Sequence, residues 1–145
     1  MRNGLVAAMS MVEADDWILV HDAARPCLHW ADLERLKDEA DDEDGGLLAM
    51  PVTDTLKRGG QRAAETVARD AMWRAQTPQM FRLDLLHRAL QASLAERAAV
   101  TDESSAMEAA GYKPRLVRGR EANLKVTYPE DLQLADFWLG QQAQP

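Results

Sequence analysis

Trp17-Ile18-Leu19-Val20 is an apolar run of strand length that stops abruptly at His21-Asp22-Ala23-Ala24-Arg25-Pro26. It reads as a buried strand followed at once by a loop. Further apolar runs of this kind alternate along the chain with segments of helical period, which is the pattern of an α/β fold. In an open α/β sheet, ligands bind beyond the carboxyl ends of the strands. The strand therefore delivers a possible Mg²⁺ ligand, Asp22, and an anion-binding side chain, Arg25, to the favoured place.

The rest of the chain follows the same alternation. Leu5–Val12 predicts an amphipathic helix capped near Asn3. Ala31–Ala40 predicts a second, with Leu33, Leu36 and Ala40 on one face. The acidic run Asp41-Asp42-Glu43-Asp44 reads as a solvated helix end, since like charges at adjacent positions do not converge on one ion. Leu47–Val52 predicts another buried strand. Residues 53–69 are polar, with Gly59-Gly60 in the middle, and fit two short strands around a glycine turn. Such a hairpin has little apolar surface for its own domain and suits a lid or an arm that reaches a second subunit. Residues 83–96 predict a strong helix with a Leu86, Ala89, Leu90 and Leu94 stripe. Residues 102–110 predict another helix, closed by Gly111 at C′. Arg115–Val117 and Leu124–Val126 read as strands. Pro129 is a good first residue for a last helix carrying Leu132, Ala135 and Trp138, and the polar tail after Gly140 is expected to fray.

With 145 residues the chain is the size of one domain, able to bury roughly 68–70% of its unfolded surface. A net charge of −7 argues against a general nucleic-acid binder, though not against a small phosphorylated ligand held by a few local cations. The single Cys27 excludes an intrachain disulfide and a cysteine-rich zinc site. No apolar run approaches the roughly 18 residues that span a bilayer, and the first residues lack a cleavage site. The expected location is the cytoplasm.

Several residues have both a plain and a chemical reading. Asp22 caps a turn and Arg25 pairs with a surface carboxylate, or Asp22 holds Mg²⁺ through oxygen and Arg25 grips a phosphate bidentately. His21, His29 and His87 have no partners at metal-ligand spacing and read as structural or surface histidines. Thr55 and Lys57, two apart on one strand face, are either exposed arm residues or a hydroxyl and an ammonium offered to a ligand; Arg69 closes the same arm. Thr77-Pro78-Gln79 reads as a turn. Thr101 or Asp102 caps the following helix with Glu103 complementing its dipole, and the same helix start offers N–H groups and a hydroxyl to an anion. Lys125, inside an apolar segment, reads as a lysine that needs an anionic partner.

Taken together, His21-Asp22-Ala23-Ala24-Arg25-Pro26, Asp54-Thr55-Leu56-Lys57, Thr77-Pro78-Gln79 with Phe81, Thr101-Asp102-Glu103 and Asn123-Leu124-Lys125-Val126-Thr127 with Pro129-Glu130-Asp131 resemble, in order and spacing, the 2-C-methyl-D-erythritol 4-phosphate cytidylyltransferases. The resemblance runs from Trp17 to Trp138. It implies a Rossmann-like nucleotidyltransferase fold with a mixed, mostly parallel sheet and a protruding β-arm, residues 1–145 being the C-terminal portion of a single domain. It implies transfer of CMP from CTP to methylerythritol 4-phosphate with release of pyrophosphate, in the non-mevalonate isoprenoid pathway. Asp22 would bind Mg²⁺ and substrate hydroxyls. Arg25, Thr77, Thr101 and Lys125 would line the substrate pocket, and Thr55, Lys57 and Arg69 would enter it from the partner of a homodimer joined through arm 53–69. Arg69 and Lys125 would orient the attacking phosphate and are the catalytic candidates.

The resemblance also has a gap. Family members carry a glycine-rich loop and a following lysine for the CTP triphosphate, and this chain has no such segment, its glycine pairs being Gly45-Gly46 and Gly59-Gly60. Met1 is therefore expected to be an internal methionine of a longer protein. Two other readings stand beside the transferase: an inactive fragment acting as a dimerising or substrate-binding module, and a cytidylyltransferase for another polyol phosphate such as ribitol 5-phosphate. The match at Thr101-Asp102-Glu103 and Asn123–Val126 disfavours the latter.

Overall fold

The computed structural model describes residues 2–42, 44–95 and 100–142; expectations for Met1, Glu43, Glu96 and residues 143–145 lie outside them. The elements are α1 (Arg2–Ala8), β1 (Trp17–Val20), α2 (Trp30–Glu39), β2 (Gly46–Pro51), β3 (Leu56–Gly59), β4 (Ala63–Val67), β5 (Trp73–Arg82), α3 (Leu83–Ala95), α4 (Glu103–Ala109), β6 (Arg115–Arg118) and α5 (Asp131–Gln142). Four strands form one sheet in the order β1-β5-β2-β6, and β3 and β4 form a separate hairpin.

The sheet is mixed but not mostly parallel as expected. β5 runs antiparallel to both β1 and β2, and β2–β6 is the parallel pairing among the described residues. The difference comes from β5, whose Thr-Pro-Gln sequence suggested a turn. Instead it is a ten-residue central strand. Proline is tolerated there because of local irregularity. The β1 ladder ends at Val20–Gln79, and the β2 register shifts between Leu47–Gln79 and Ala49–Ala75, so Pro78 sits where no N–H is required.

Helices cover both faces. Leu5, Phe81, Leu83, Leu86, Ala89, Leu90, Ala106 and Met107 join α1, α3 and α4 to one face. Leu36, Ala40, Leu48, Met80 and Val117 join α2 to the other. β2 is buried along Gly46–Met50, as its unbroken apolar run predicts for a strand covered on both sides. Each buried leucine there contributes about 1.5–3 kcal/mol. The chain enters β2 through Gly45, at φ +62°, where a Cβ would lie 2.3 Å from the Met80 carbonyl oxygen.

Several boundaries differ from expectation. Asn3 lies inside α1, which ends at Ala8 rather than near Val12. β1 is an edge strand and only half-buried, with Leu19 exposed. Leu94 is exposed while Ser93 takes the buried position. Residues 124–126 are irregular rather than a strand, their backbone tied to the 22–25 turn by the Val126 N–H donating to the Ala24 carbonyl. α5 starts at Asp131, whose carboxylate accepts the N–H groups of Thr127 and Tyr128, and it continues past Gly140 to Gln142. Ala135 of its predicted stripe is buried, whereas Leu132 is exposed. The β3–β4 hairpin is solvent-exposed almost throughout, as the lack of core-forming residues in 53–69 predicts.

Candidate active site

Beyond the carboxyl end of β1 lies an open cleft of about 500 Å³, lined by β1 and its loop, by β5, by the start of α4 and by Lys125. Asp22, Arg25, Thr77, Thr101 and Lys125, all expected site residues, meet in it. Thr55, Lys57 and Arg69 do not line it. They lie on the arm, where Lys57 Nζ donates to Thr66 Oγ1 at 2.6 Å and Arg69 donates to the Thr53 carbonyl.

The 22–25 turn is closed by the Arg25 N–H donating to the Asp22 carbonyl at 2.9 Å, and Asp22 Oδ1 accepts the Ala24 N–H at 3.0 Å. Asp22 Oδ2 pairs with Lys125 Nζ at 2.8 Å. The Lys125 hydrogen bond, then the Ala24 N–H, hold the Asp22 carboxyl below the usual aspartate range. Lys125 is exposed rather than buried, contrary to the reading of it as a strand-interior lysine. Arg25 is half-buried and reaches the Asn123 carbonyl at 2.7 Å and the Ala75 carbonyl at 3.3 Å. Burial is the main influence lowering its pKa.

β5 supplies the floor. Thr77 Oγ1 accepts the Asp22 N–H at 2.9 Å and contacts His21 Nδ1 at 3.0 Å, while His21 Nε2 contacts the Arg25 carbonyl at 3.0 Å. Buried Gln76 donates to the Arg120 carbonyl at 2.9 Å, and buried Asn123 donates to the Thr77 carbonyl at 2.8 Å. Buried Gln79 uses both ends of its amide, donating to Asp102 Oδ2 at 2.9 Å and accepting the Ser104 N–H at 2.7 Å.

At α4 the cap is Asp102, which forms a capping box with Ser105. The Ser104 and Ser105 N–H groups are already taken by Gln79 and Asp102, so they are not the free anion donors the sequence suggested. Burial pushes the Asp102 carboxyl up, but hydrogen bonds from Gln79, Ser105 and Ser104 outweigh it and leave it low. Glu103 is buried, not merely placed along the helix dipole. Burial raises its pKa, with the Asp102 and Asp22 carboxylates adding to the effect.

Gln76 and Asp32 belong to none of the motifs in the sequence, and Asn123 figures there only as part of the Asn123–Thr127 run, with no role of its own. Asp32, fully buried at the start of α2, accepts from Arg35 at 3.0 Å and Arg120 at 2.9 Å and so anchors the segment leading to Lys125. A buried aspartate in the first turn of a helix carries no sequence mark of its own. His29 caps α2, in keeping with a structural role.

No group of three His, Cys, Asp or Glu able to hold a metal occurs among the described residues. Asp22 alone suits Mg²⁺ only in the mode where waters and substrate phosphates supply the remaining ligands.

Solved structures share this fold. A crystal structure of 4-diphosphocytidyl-2C-methyl-D-erythritol synthase superposes with TM-score 0.86 at 45% identity, over 95% of this chain and 64% of that one. The Francisella tularensis 2-C-methyl-D-erythritol 4-phosphate cytidylyltransferase superposes with TM-score 0.84 at 34% identity, over 94% of this chain and 67% of that one. The fold is that of an α/β nucleotidyltransferase. Residues 2–141 match the family described as IspD: 2-C-methyl-D-erythritol 4-phosphate cytidylyltransferase. A Bordetella parapertussis protein of that name is 59% identical over 133 residues, 91% of this chain and 59% of the relative. The chain belongs to the 2-C-methyl-D-erythritol 4-phosphate cytidylyltransferase family, and it spans about three-fifths of the length of its curated relatives.

Proposed function

We propose that the cleft receives the polyol phosphate of a cytidylyltransferase, which moves CMP from CTP onto 2-C-methyl-D-erythritol 4-phosphate and releases pyrophosphate. The observation that carries this reading is the meeting of Asp22, Arg25, Thr77, Thr101 and Lys125 in one cleft of a chain from this family. In the reaction a phosphate oxygen of the polyol attacks the α-phosphorus of CTP, a new P–O bond forms, and the bond to pyrophosphate breaks. Positioning and charge neutralisation supply most of the catalysis in such a displacement.

The residues divide this work. Lys125 and Arg25 present positive charge to the incoming phosphate. As Lys125 turns to it, Asp22 Oδ2 is released to accept a polyol hydroxyl. Thr77 and Thr101 contribute hydroxyls to the cleft wall. Mg²⁺, held by Asp22 with phosphate oxygens, would neutralise part of the phosphate charge. Thr55, Lys57 and Arg69 enter the cleft of a second subunit through arm 53–69, making a homodimer in which Arg69 helps orient the attacking phosphate. The setting is isoprenoid synthesis in the cytoplasm.

The test is pyrophosphate release with CTP, methylerythritol 4-phosphate and Mg²⁺, with mass detection of the CDP-polyol. Product that depends on both substrates supports the reading. Binding of the polyol phosphate without product overturns the transferase reading for this chain and leaves a substrate-binding module. Faster product from ribitol 5-phosphate overturns the choice of substrate.

A further inference from the structure

His21 is exposed, yet both of its ring nitrogens are engaged within the protein: Nε2 at 3.0 Å from the Arg25 carbonyl and Nδ1 at 3.0 Å from Thr77 Oγ1. A carbonyl only accepts, so Nε2 carries the hydrogen. In the neutral ring Nδ1 is then an acceptor, and the Thr77 hydroxyl donates to it. Thr77 Oγ1 in turn accepts the Asp22 N–H at 2.9 Å. The hydrogen bonds thus run one way, from the Asp22 N–H to Thr77 to His21, and from His21 to the Arg25 carbonyl.

We infer that His21 is a positioning residue that acts through this neutral Nε2–H tautomer. It bridges the two ends of the 22–25 turn to β5 and so fixes the spacing of Asp22 and Arg25 across the cleft. The Arg25 side chain is anchored separately, on the Asn123 and Ala75 carbonyls. The His21 bond to its carbonyl ties the backbone at the turn's far end to the Thr77 hydroxyl, whereas the Arg25 side chain reaches Thr77 through Asn123. Committing the Thr77 hydrogen to His21 has a second effect. Thr77 faces the cleft with a lone pair only, which suits a hydroxyl of the ligand and not a phosphate oxygen. The positioning role rests on the reading of the cleft as a polyol-phosphate site; the tautomer does not.

Two measurements on the full chain separate these points. Long-range ¹H–¹⁵N correlation of the labelled protein at pH 8 is expected to show His21 with a protonated Nε2 and a bare Nδ1. The Nδ1 resonance is expected to move in Thr77→Val. A ring protonated at Nδ1, or averaging freely between tautomers, overturns the inference whether or not any ligand binds. Titration calorimetry with methylerythritol 4-phosphate is expected to show binding weakened about tenfold in His21→Ala, as for a lost positioning hydrogen bond, at unchanged melting temperature. His21→Gln, whose amide can still donate to the Arg25 carbonyl, is expected to recover most of it. Equal affinity in wild type and His21→Ala overturns the positioning role. Absence of binding by the wild-type chain overturns the proposed substrate instead, and the tautomer measurement still decides for His21.

Discussion

Lys125 Nζ lies 2.8 Å from Asp22 Oδ2, so the cation and the carboxylate of the cleft neutralise each other across it. The two residues are far apart in sequence and are brought together because the 124–126 segment bonds to the 22–25 turn through Val126 and Ala24. A ligand phosphate that draws Lys125 away from this contact frees Asp22 Oδ2.

Lys125→Met should raise the Asp22 pKa toward the ordinary value of about 3.9, because its largest stabilising hydrogen bond is lost while the Ala24 N–H remains. Carboxyl ¹³C titration checks this; an unmoved Asp22 contradicts it. A depressed aspartate pKa stabilises the fold above the unfolded value and ceases to do so as pH falls through the folded one. Both side chains are a third or more exposed, so that contribution stays below about 1 kcal/mol.

Gln79→Glu keeps the acceptor for Ser104 but turns a carboxylate toward Asp102 in a nearly inaccessible position. The pair would bind a proton more tightly than the unfolded chain does, so its cost grows as pH rises. The variant should be less stable than wild type by about 2–3 kcal/mol at pH 7, with the gap narrowing at pH 5. Denaturant melts at the two pH values measure it, and a constant gap refutes the like-charge account.

Asp32→Asn removes the negative charge that Arg35 and Arg120 share and leaves them a neutral amide oxygen. Breaking a fully buried ion pair costs about 3–5 kcal/mol. Here both arginines are partly exposed and can turn to water, so about 2 kcal/mol is expected. Urea unfolding gives the value, and hydrogen exchange should speed up in residues 119–123 ahead of the rest of the sheet.

Arg69→Ala should lower kcat for CDP-polyol formation by about a hundredfold without shifting the melting temperature, since Arg69 is exposed and its partner is the Thr53 carbonyl at the base of the arm. Wild-type turnover in that variant would remove Arg69 from the reaction.

What the sequence made legible follows from periodicity. β1, β2 and helices α2, α3 and α4 are visible because burial on one or both faces imposes an apolar rhythm, and the exposed hairpin because residues 53–69 lack that rhythm and turn at Gly59-Gly60. β5 was hidden by Pro78, whose position in a register shift is a property of the neighbouring strand and not of its own residues. The cleft residues Asp22, Arg25, Thr77, Thr101 and Lys125 were legible as motifs. Gln76, Gln79 and Asn123 hold those residues in place through bonds spanning 23 to 47 positions, and no local pattern encodes a partner so distant. Glu103 stands in the first turn of α4, where the dipole argument puts it, but its burial comes from the packing of α4, which an argument about one helix does not contain.

β5 carries Gln76, Thr77 and Gln79 within four residues, and each grips a different wall of the cleft: the 120–123 segment, the 22–25 turn and the start of α4. One strand thus serves as the common ruler from which three separately built walls are measured. Variation at these positions cannot be absorbed one wall at a time, because sliding the ruler to suit one grip displaces the other two. A library randomised at 76, 77 and 79 together should therefore return few working combinations, while the hairpin, which no wall depends on, tolerates many outside Lys57.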